Sequence, residues 1–150
     1  MKLTVSKLNK FLLFKLPSAF FCGVRVKEID VNKRVVSVKH RWINQNPFNS
    51  MYFAVQAMAA ELSTGALVMF QIAKSGRKIS MLVANNKGNF TKKATGRITF
   101  TCNDGHLIEK AILETIATGE GQTFWMKSIG TNETGIQVSE MDFEWSVRVK

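Results

Sequence analysis

Apolar residues recur at Val5, Leu8, Leu12 and Leu16, a helical period that predicts an N-terminal helix over about residues 3–16. Val24 and Val26 open a strand, Asp30-Val31-Asn32-Lys33 reads as a turn, and Val36, Val38, His40 and Trp42 alternate on one face. A hairpin is the natural reading, with His40 half-buried in it. The pattern breaks over Asn44 to Ser50. From about 49 to 70 the chain is apolar almost all round, which predicts a long helix enclosed by other elements and capped by Asn49 or Ser50. Met51, Val55, Met58, Leu62 and Met69 form a bulky stripe on it; Ser50, Ala54, Ala57, Glu61 and Gly65 form a second stripe of small residues with one carboxylate.

Ile79, Met81 and Val83 then alternate up to Asn85-Asn86-Lys87-Gly88, which reads as a turn, and Ile98, Phe100 and Cys102 mark another strand. Asn103-Asp104-Gly105 leads into a helix over about 105–118. Phe124 and Met126 begin a strand that turns at Gly130-Thr131-Asn132-Glu133. The last strand alternates Met141, Phe143, Trp145, Val147 and Val149 against polar neighbours. The order describes an α+β domain over residues 1–150, with an antiparallel sheet around one central helix and no repeat or linker.

Composition narrows the class. With 45% hydrophobic residues and two prolines in 150, the chain is neither disordered nor low-complexity. Its net charge of +10 is unevenly placed. Residues 1–41 hold ten basic and two acidic side chains, residues 74–97 hold seven basic and no acidic ones, and residues 98–150 are net acidic. Such asymmetry describes an electropositive side that attracts phosphates, nucleic acid or anionic lipid, or else a solvated basic face. Lys2, Lys7 and Lys10 precede Phe11-Leu12-Leu13-Phe14, but Lys15 and Pro17 cut this run too short for a signal peptide. No stretch reads as an integral membrane segment, so a cytoplasmic protein is expected. Cys22 and Cys102 have no metal-ligand spacing and, with only two histidines, no metal site is expected. Free thiols are the expected state.

Glu61 is the only charged residue between Arg41 and Lys74. A carboxylate on an apolar helix must be solvated, paired or protonated. It either faces a wet groove or a subunit partner, or lines a pocket where a shifted pKa suits general-base work.

The element order, with Asn46-Pro47-Phe48-Asn49-Ser50-Met51-Tyr52-Phe53-Ala54 leading into Met58-Ala59-Ala60-Glu61-Leu62-Ser63-Thr64-Gly65, resembles the hotdog fold. More narrowly, it resembles an uncharacterised hotdog family related to acyl-CoA thioesterases of the phenylacetyl-CoA type. That resemblance implies a carboxylate on the central helix, here Glu61, activating water against a thioester. It also implies an oxyanion site in the turn from Asn46 to Tyr52, with Asn46 and Asn49 orienting carbonyl or water. Ser50, Met51, Tyr52, Ala54 and Ala57 would line the acyl site. Arg77, Lys78, Lys92, Lys93 and Arg97 would meet the phosphates of a CoA thioester, bound as substrate or ligand with no further cofactor. A homodimer or dimer of dimers is implied too. The sequence departs from the catalytic pattern at Tyr52-Phe53-Ala54, where those enzymes carry His-Gly-Gly. Thioester hydrolysis is the leading reading and a non-catalytic acyl-CoA or lipid-binding module the alternative. A nucleic-acid or membrane-surface binder is a third class, with nucleic acid the less expected partner.

Overall fold

The computed structural model describes residues 3–150; Met1 and Lys2, where the basic N-terminus begins, lie outside the described residues. The chain opens with α1 (Val5–Lys15), whose N-cap Thr4 accepts from the Lys7 N–H at 3.3 Å, and α2 (Pro17–Phe21). The helix expected over 3–16 is therefore bounded by Thr4 and cut at Leu16. Pro17 lacks the N–H that would continue α1 but suits the first position of a new helix.

The strands are β1 (Arg25–Ile29), β2 (Arg34–Lys39), β3 (Ile79–Phe90), β4 (Arg97–Cys102), β5 (Gln122–Thr131) and β6 (Gln137–Val149); the helices between them are α3 (Phe53–Ser75) and α4 (His106–Thr118). They form one antiparallel sheet in the order β1-β2-β4-β5-β6-β3, curled around α3. Val36, Val38, Ile98, Phe100, Trp145 and Val147 on its inner face share one buried cluster with Ala59, Leu62, Ala66 and Leu67 of α3. Each large side chain buried there contributes roughly 1.5–3 kcal/mol. Polar ties help fix the helix on the sheet: Ser63 and Ser128 hydroxyls bond at 2.7 Å, and Trp145 Nε1 donates to Thr64 Oγ1 at 2.9 Å. By length and composition α3 is apolar enough to cross a membrane, yet most of it is buried as the core helix of this domain.

Three sequence expectations are corrected. The central helix runs from Phe53 to Ser75, not 49 to 70, and neither Asn49 nor Ser50 caps it. The Met51 N–H donates to Ala94 O at 2.8 Å and the Tyr52 N–H to Asn44 O at 2.9 Å, so the chain is committed to the neighbouring loops until Phe53. Its far end continues because Gln71 is still buried. The expected turn at Asn85–Gly88 is the middle of β3, paired with β6 from Ile79↔Val149 to Phe90↔Ser139 with a register shift between Val83 and Asn85. The long partner strand overrides the local Asn/Gly signal, and Asn85 Nδ2 donates across to Glu144 Oε1 at 3.0 Å. Trp42 leaves the hairpin face altogether and is 83% exposed. β2 stops at Lys39, where the Asn44 side chain draws the chain into a short 3-10 turn; His40 is half-buried.

The sheet's two edges differ. At β1, Asn9 of α1 acts as a one-residue strand: its Oδ1 accepts from the Val26 N–H (2.9 Å) and its Nδ2 donates to Val26 O (3.1 Å). At β3, twelve residues of mostly exposed strand end the sheet.

Candidate functional site

The approach to α3 is a tight loop built on Asn46. Its Oδ1 accepts from the N–H groups of Phe48 (2.9 Å) and Ser50 (3.2 Å), and its Nδ2 donates to Ser50 Oγ (2.9 Å) and Met51 O (3.3 Å). Asn49 sits in the left-handed region at φ 59, where asparagine is one of the few tolerated side chains. The loop delivers the chain to α3 with Tyr52 as N-cap and no side-chain cap. The first N–H groups of a long helix are thus left without a side-chain acceptor, where the helix dipole favours negative charge.

A cleft of about 470 Å³ opens beside this helix start, between the Asn46 loop and the segment that follows β3. Asn46, Ser50, Met51, Tyr52, Lys92 and Lys93 line it, so the structure brings together six of the residues singled out in the sequence. Lys93 Nζ also donates to Phe48 O at 3.0 Å. Phe53 stands at the helix start between Tyr52 (5.1 Å between ring centroids) and Phe90 (6.1 Å). Gln56, Phe90 and Thr91 also line the wall and were missed by sequence reasoning. Gln56 is 4% exposed, with an Oε1 that has no hydrogen-bond partner. Its signal was available: it is the one amide in the first two turns of an apolar helix.

Glu61 lies two turns further along α3. Ala54, Ala57 and Glu61 form a half-buried line on the helix, the spacing that puts them on one face. The line ends at Gly65, where a Cβ would lie 2.9 Å from the Trp145 ring and 3.3 Å from Glu61 Oε1. Glycine there lets the indole close over the helix beside the carboxylate. Among the described residues no hydrogen bond or ion pair holds that carboxylate. Burial pushes its pKa up to about 7. It is poised between acid and base near neutrality, which suits proton transfer.

Other expected site residues stand apart. Asn49, Ala54, Ala57 and Glu61 do not line the cleft itself. Arg77 and Lys78 are exposed at the far end of β3 from Lys92 and Lys93, roughly 36 Å away along the strand. One protomer does not bring these four cations together. Cys22 and Cys102 are free thiols, and burial pushes the Cys102 thiol up to about 12. Among the described residues no three His, Cys, Asp or Glu side chains cluster as metal ligands.

A family model described as a domain of unknown function (DUF4442) matches residues 6–147. Solved structures resemble the whole domain. A Pseudomonas aeruginosa protein described as a probable thioesterase is 22% identical, with 100% of this chain and 99% of that one covered at a TM-score of 0.81. A Chlorobaculum tepidum protein of unknown function is 13% identical, with 97% and 94% covered at 0.85. A thioesterase from Haemophilus influenzae is 12% identical, with 99% and 93% covered at 0.77. These likenesses show the fold, an α+β hotdog domain. No curated protein matches the sequence.

Proposed function

The chain belongs to the DUF4442 family, and from that premise we propose that it hydrolyses an acyl thioester, with Glu61 as general base. The observation that carries this reading is the unpaired, half-buried Glu61 carboxylate with its pKa near 7, on the same helix whose uncapped N-terminus borders a cleft. Glu61 takes a proton from water as the water oxygen attacks the thioester carbonyl. The carbonyl electron pair moves to oxygen, stabilised by N–H groups of the first turn of α3. Collapse of the intermediate expels the thiolate, which takes up the proton from Glu61, so a thioester and water give an acid and a thiol. Asn46 is a positioning residue in this scheme, since the loop already uses both ends of its amide. The names of two structural relatives point to the same chemistry.

A second copy of the chain completes the site in this reading. Antiparallel pairing of two β3 edges about Asn85 would set one protomer's Lys92 and Lys93 beside the partner subunit's Arg77 and Lys78. It would also cover the face of α3 that carries Ala54, Ala57 and Glu61, and make CoA the fitting thiol. The non-catalytic reading has one observation in its favour: the Tyr52 and Phe53 rings crowd the helix start, where close approach of a thioester favours glycine.

The test is hydrolysis of short, medium, long and aromatic acyl-CoAs by wild type and Glu61→Gln. Loss of a general base lowers turnover by about 10²–10⁴-fold. Unchanged turnover in the variant discards Glu61 as base. Tight acyl-CoA binding without turnover in the wild type selects the binding module.

A further inference from the structure

Part of the N-terminal excess of positive charge gathers away from the cleft, and Arg97, expected from the sequence to meet CoA phosphates beside Lys92 and Lys93, stands with it and does not line that cleft. Arg25, Lys27, Lys39, Arg41 and Arg97 surround a recess of about 240 Å³ whose remaining wall is Gly23. It shares no lining residue with the cleft at the start of α3. Strand register puts it on the outer face of the sheet. Val26, Val36, Val38 and Ile98 point into the core, so the alternate positions Arg25, paired with Ser37, and Lys39, paired with Arg97, point outward.

The recess is built rather than merely charged. Asn44 is 2% exposed and ties its walls together: Oδ1 accepts from the Arg41 N–H at 2.8 Å, while Nδ2 donates to Cys22 O and Lys39 O, each at 2.9 Å. Arg25 Nη1 donates to the carbonyls of Phe20 and Val24 at 2.7 Å, with the guanidinium 3.7 Å from the Phe20 ring centroid. Arg97 Nη1 donates to Ser37 Oγ at 3.3 Å. Gly23 has φ 94, and a Cβ on it would sit 2.5 Å from Arg41 Nη2, so a missing side chain creates the seat for that guanidinium. These partners are neutral. Among the described residues none of the five cations forms an ion pair, and Glu133 meets the backbone N–H of Arg97, not its side chain. Desolvation by burial, and after it the charge of Arg41, make Arg25 easier to deprotonate than usual.

We propose that this outer-face recess is a binding site for a phosphate ester or diphosphate carrying two or more negative charges. The Arg25 and Arg97 guanidinium groups are held by neutral partners, and a fork ordered in this way matches phosphate oxygens bidentately with little further ordering. A small anion fits better than a membrane surface or nucleic acid, because the cations converge on a recess. The site stands independently of thioester hydrolysis.

Isothermal titration of the full chain with inorganic pyrophosphate tests it, with coenzyme A and ADP as further arms that separate a thioester's own phosphates from those of a free nucleotide. Saturable one-to-one binding is expected, weakened at least tenfold in Arg41→Gln/Arg97→Gln and unchanged in Lys110→Gln, an exposed lysine of α4 outside the recess. Lys27→Gln/Lys39→Gln gives the same readout from rim lysines should the arginine variant misfold. Absence of saturable binding in the wild type overturns the proposal, as does binding that both double variants retain. Binding confined to phosphatidylglycerol vesicles or an oligonucleotide, with no response to pyrophosphate, overturns it as well.

Discussion

The two edges of the sheet receive opposite treatment. β1 is five residues long, carries a bulge between Val26 and Glu28, bears charged side chains and has its Val26 peptide groups occupied by Asn9. β3 is twelve residues long, mostly exposed, and carries one lysine and no proline. Charges, bulges, short length and a covering element are the usual defences of an edge against unwanted pairing. One edge has all of them; the other, more than twice as long, has a single lysine and one register shift between Val83 and Asn85. The difference supports β3 as the joint of the proposed assembly: the open edge adjoins β6, whose Trp145 packs against Gly65, one helical turn from Glu61, and it ends at the cleft. The closed edge adjoins neither.

The largest effect comes from spoiling the open edge. Ala84→Glu/Asn86→Glu sets carboxylates against carboxylates across two antiparallel β3 strands, a destabilising arrangement. The variant is expected to sediment as a monomer and to lose acyl-CoA turnover by about a hundredfold or more, the loss expected when positioning of the reacting groups fails. A variant that stays assembled would show that β3 is not the joint. An intermediate effect reads the carboxylate behind that edge. Glu61 titrates at about 7 in the fold against 4.5 ordinarily. Below pH 4.5 both folded and unfolded chains hold its proton. Between 4.5 and about 7 only the folded chain does, so stability falls as pH rises through that window, by up to about 3 kcal/mol. Urea midpoints measured from pH 4 to 8 should show this decline in wild type and lose that part of it in Glu61→Gln. The smallest effect comes from opening the closed edge. Asn9→Ala removes two hydrogen bonds to Val26 and should cost about 1–2 kcal/mol in denaturant melts, with assembly unchanged.

The alternation of Met141 to Val149 and the apolar run centred on Leu62 are strong periodic signals, and they carried the architecture. The errors came where distant chain overrides local preference. Asn85 to Gly88 has the composition of a turn, yet β6 templates it as strand. The helix start was misplaced because the N–H groups of Met51 and Tyr52 are claimed by Ala94 and Asn44, contacts invisible to local pattern. Arg34 reads in sequence as one more member of a basic run. In the fold it is fully buried on the inner face of β2, with Nη2 3.4 Å from Ala66 O and the guanidinium over the Phe70 ring at 5.8 Å. Burial draws its pKa down to about 10. Glu61 was legible because it is alone among apolar residues. The cleft was half legible: its helix side follows the Asn46 loop directly, whereas Phe90 and Thr91 arrive from the end of β3, more than thirty residues later. The outer-face recess joins residues from three strands and two loops, and only charge counting hinted at it.

The indole beside the carboxylate gives the molecule an optical gauge of its own. Trp42 and Trp125 are open to solvent, at 83% and 40% exposure, whereas Trp145 is 3% exposed with its Nε1 held by Thr64. A soluble quencher therefore silences the first two before the third. The emission that survives comes from the tryptophan packed against Gly65, one helical turn from Glu61. Its colour and intensity, followed through neutral pH or on adding ligand, are expected to follow events at that carboxylate without a label.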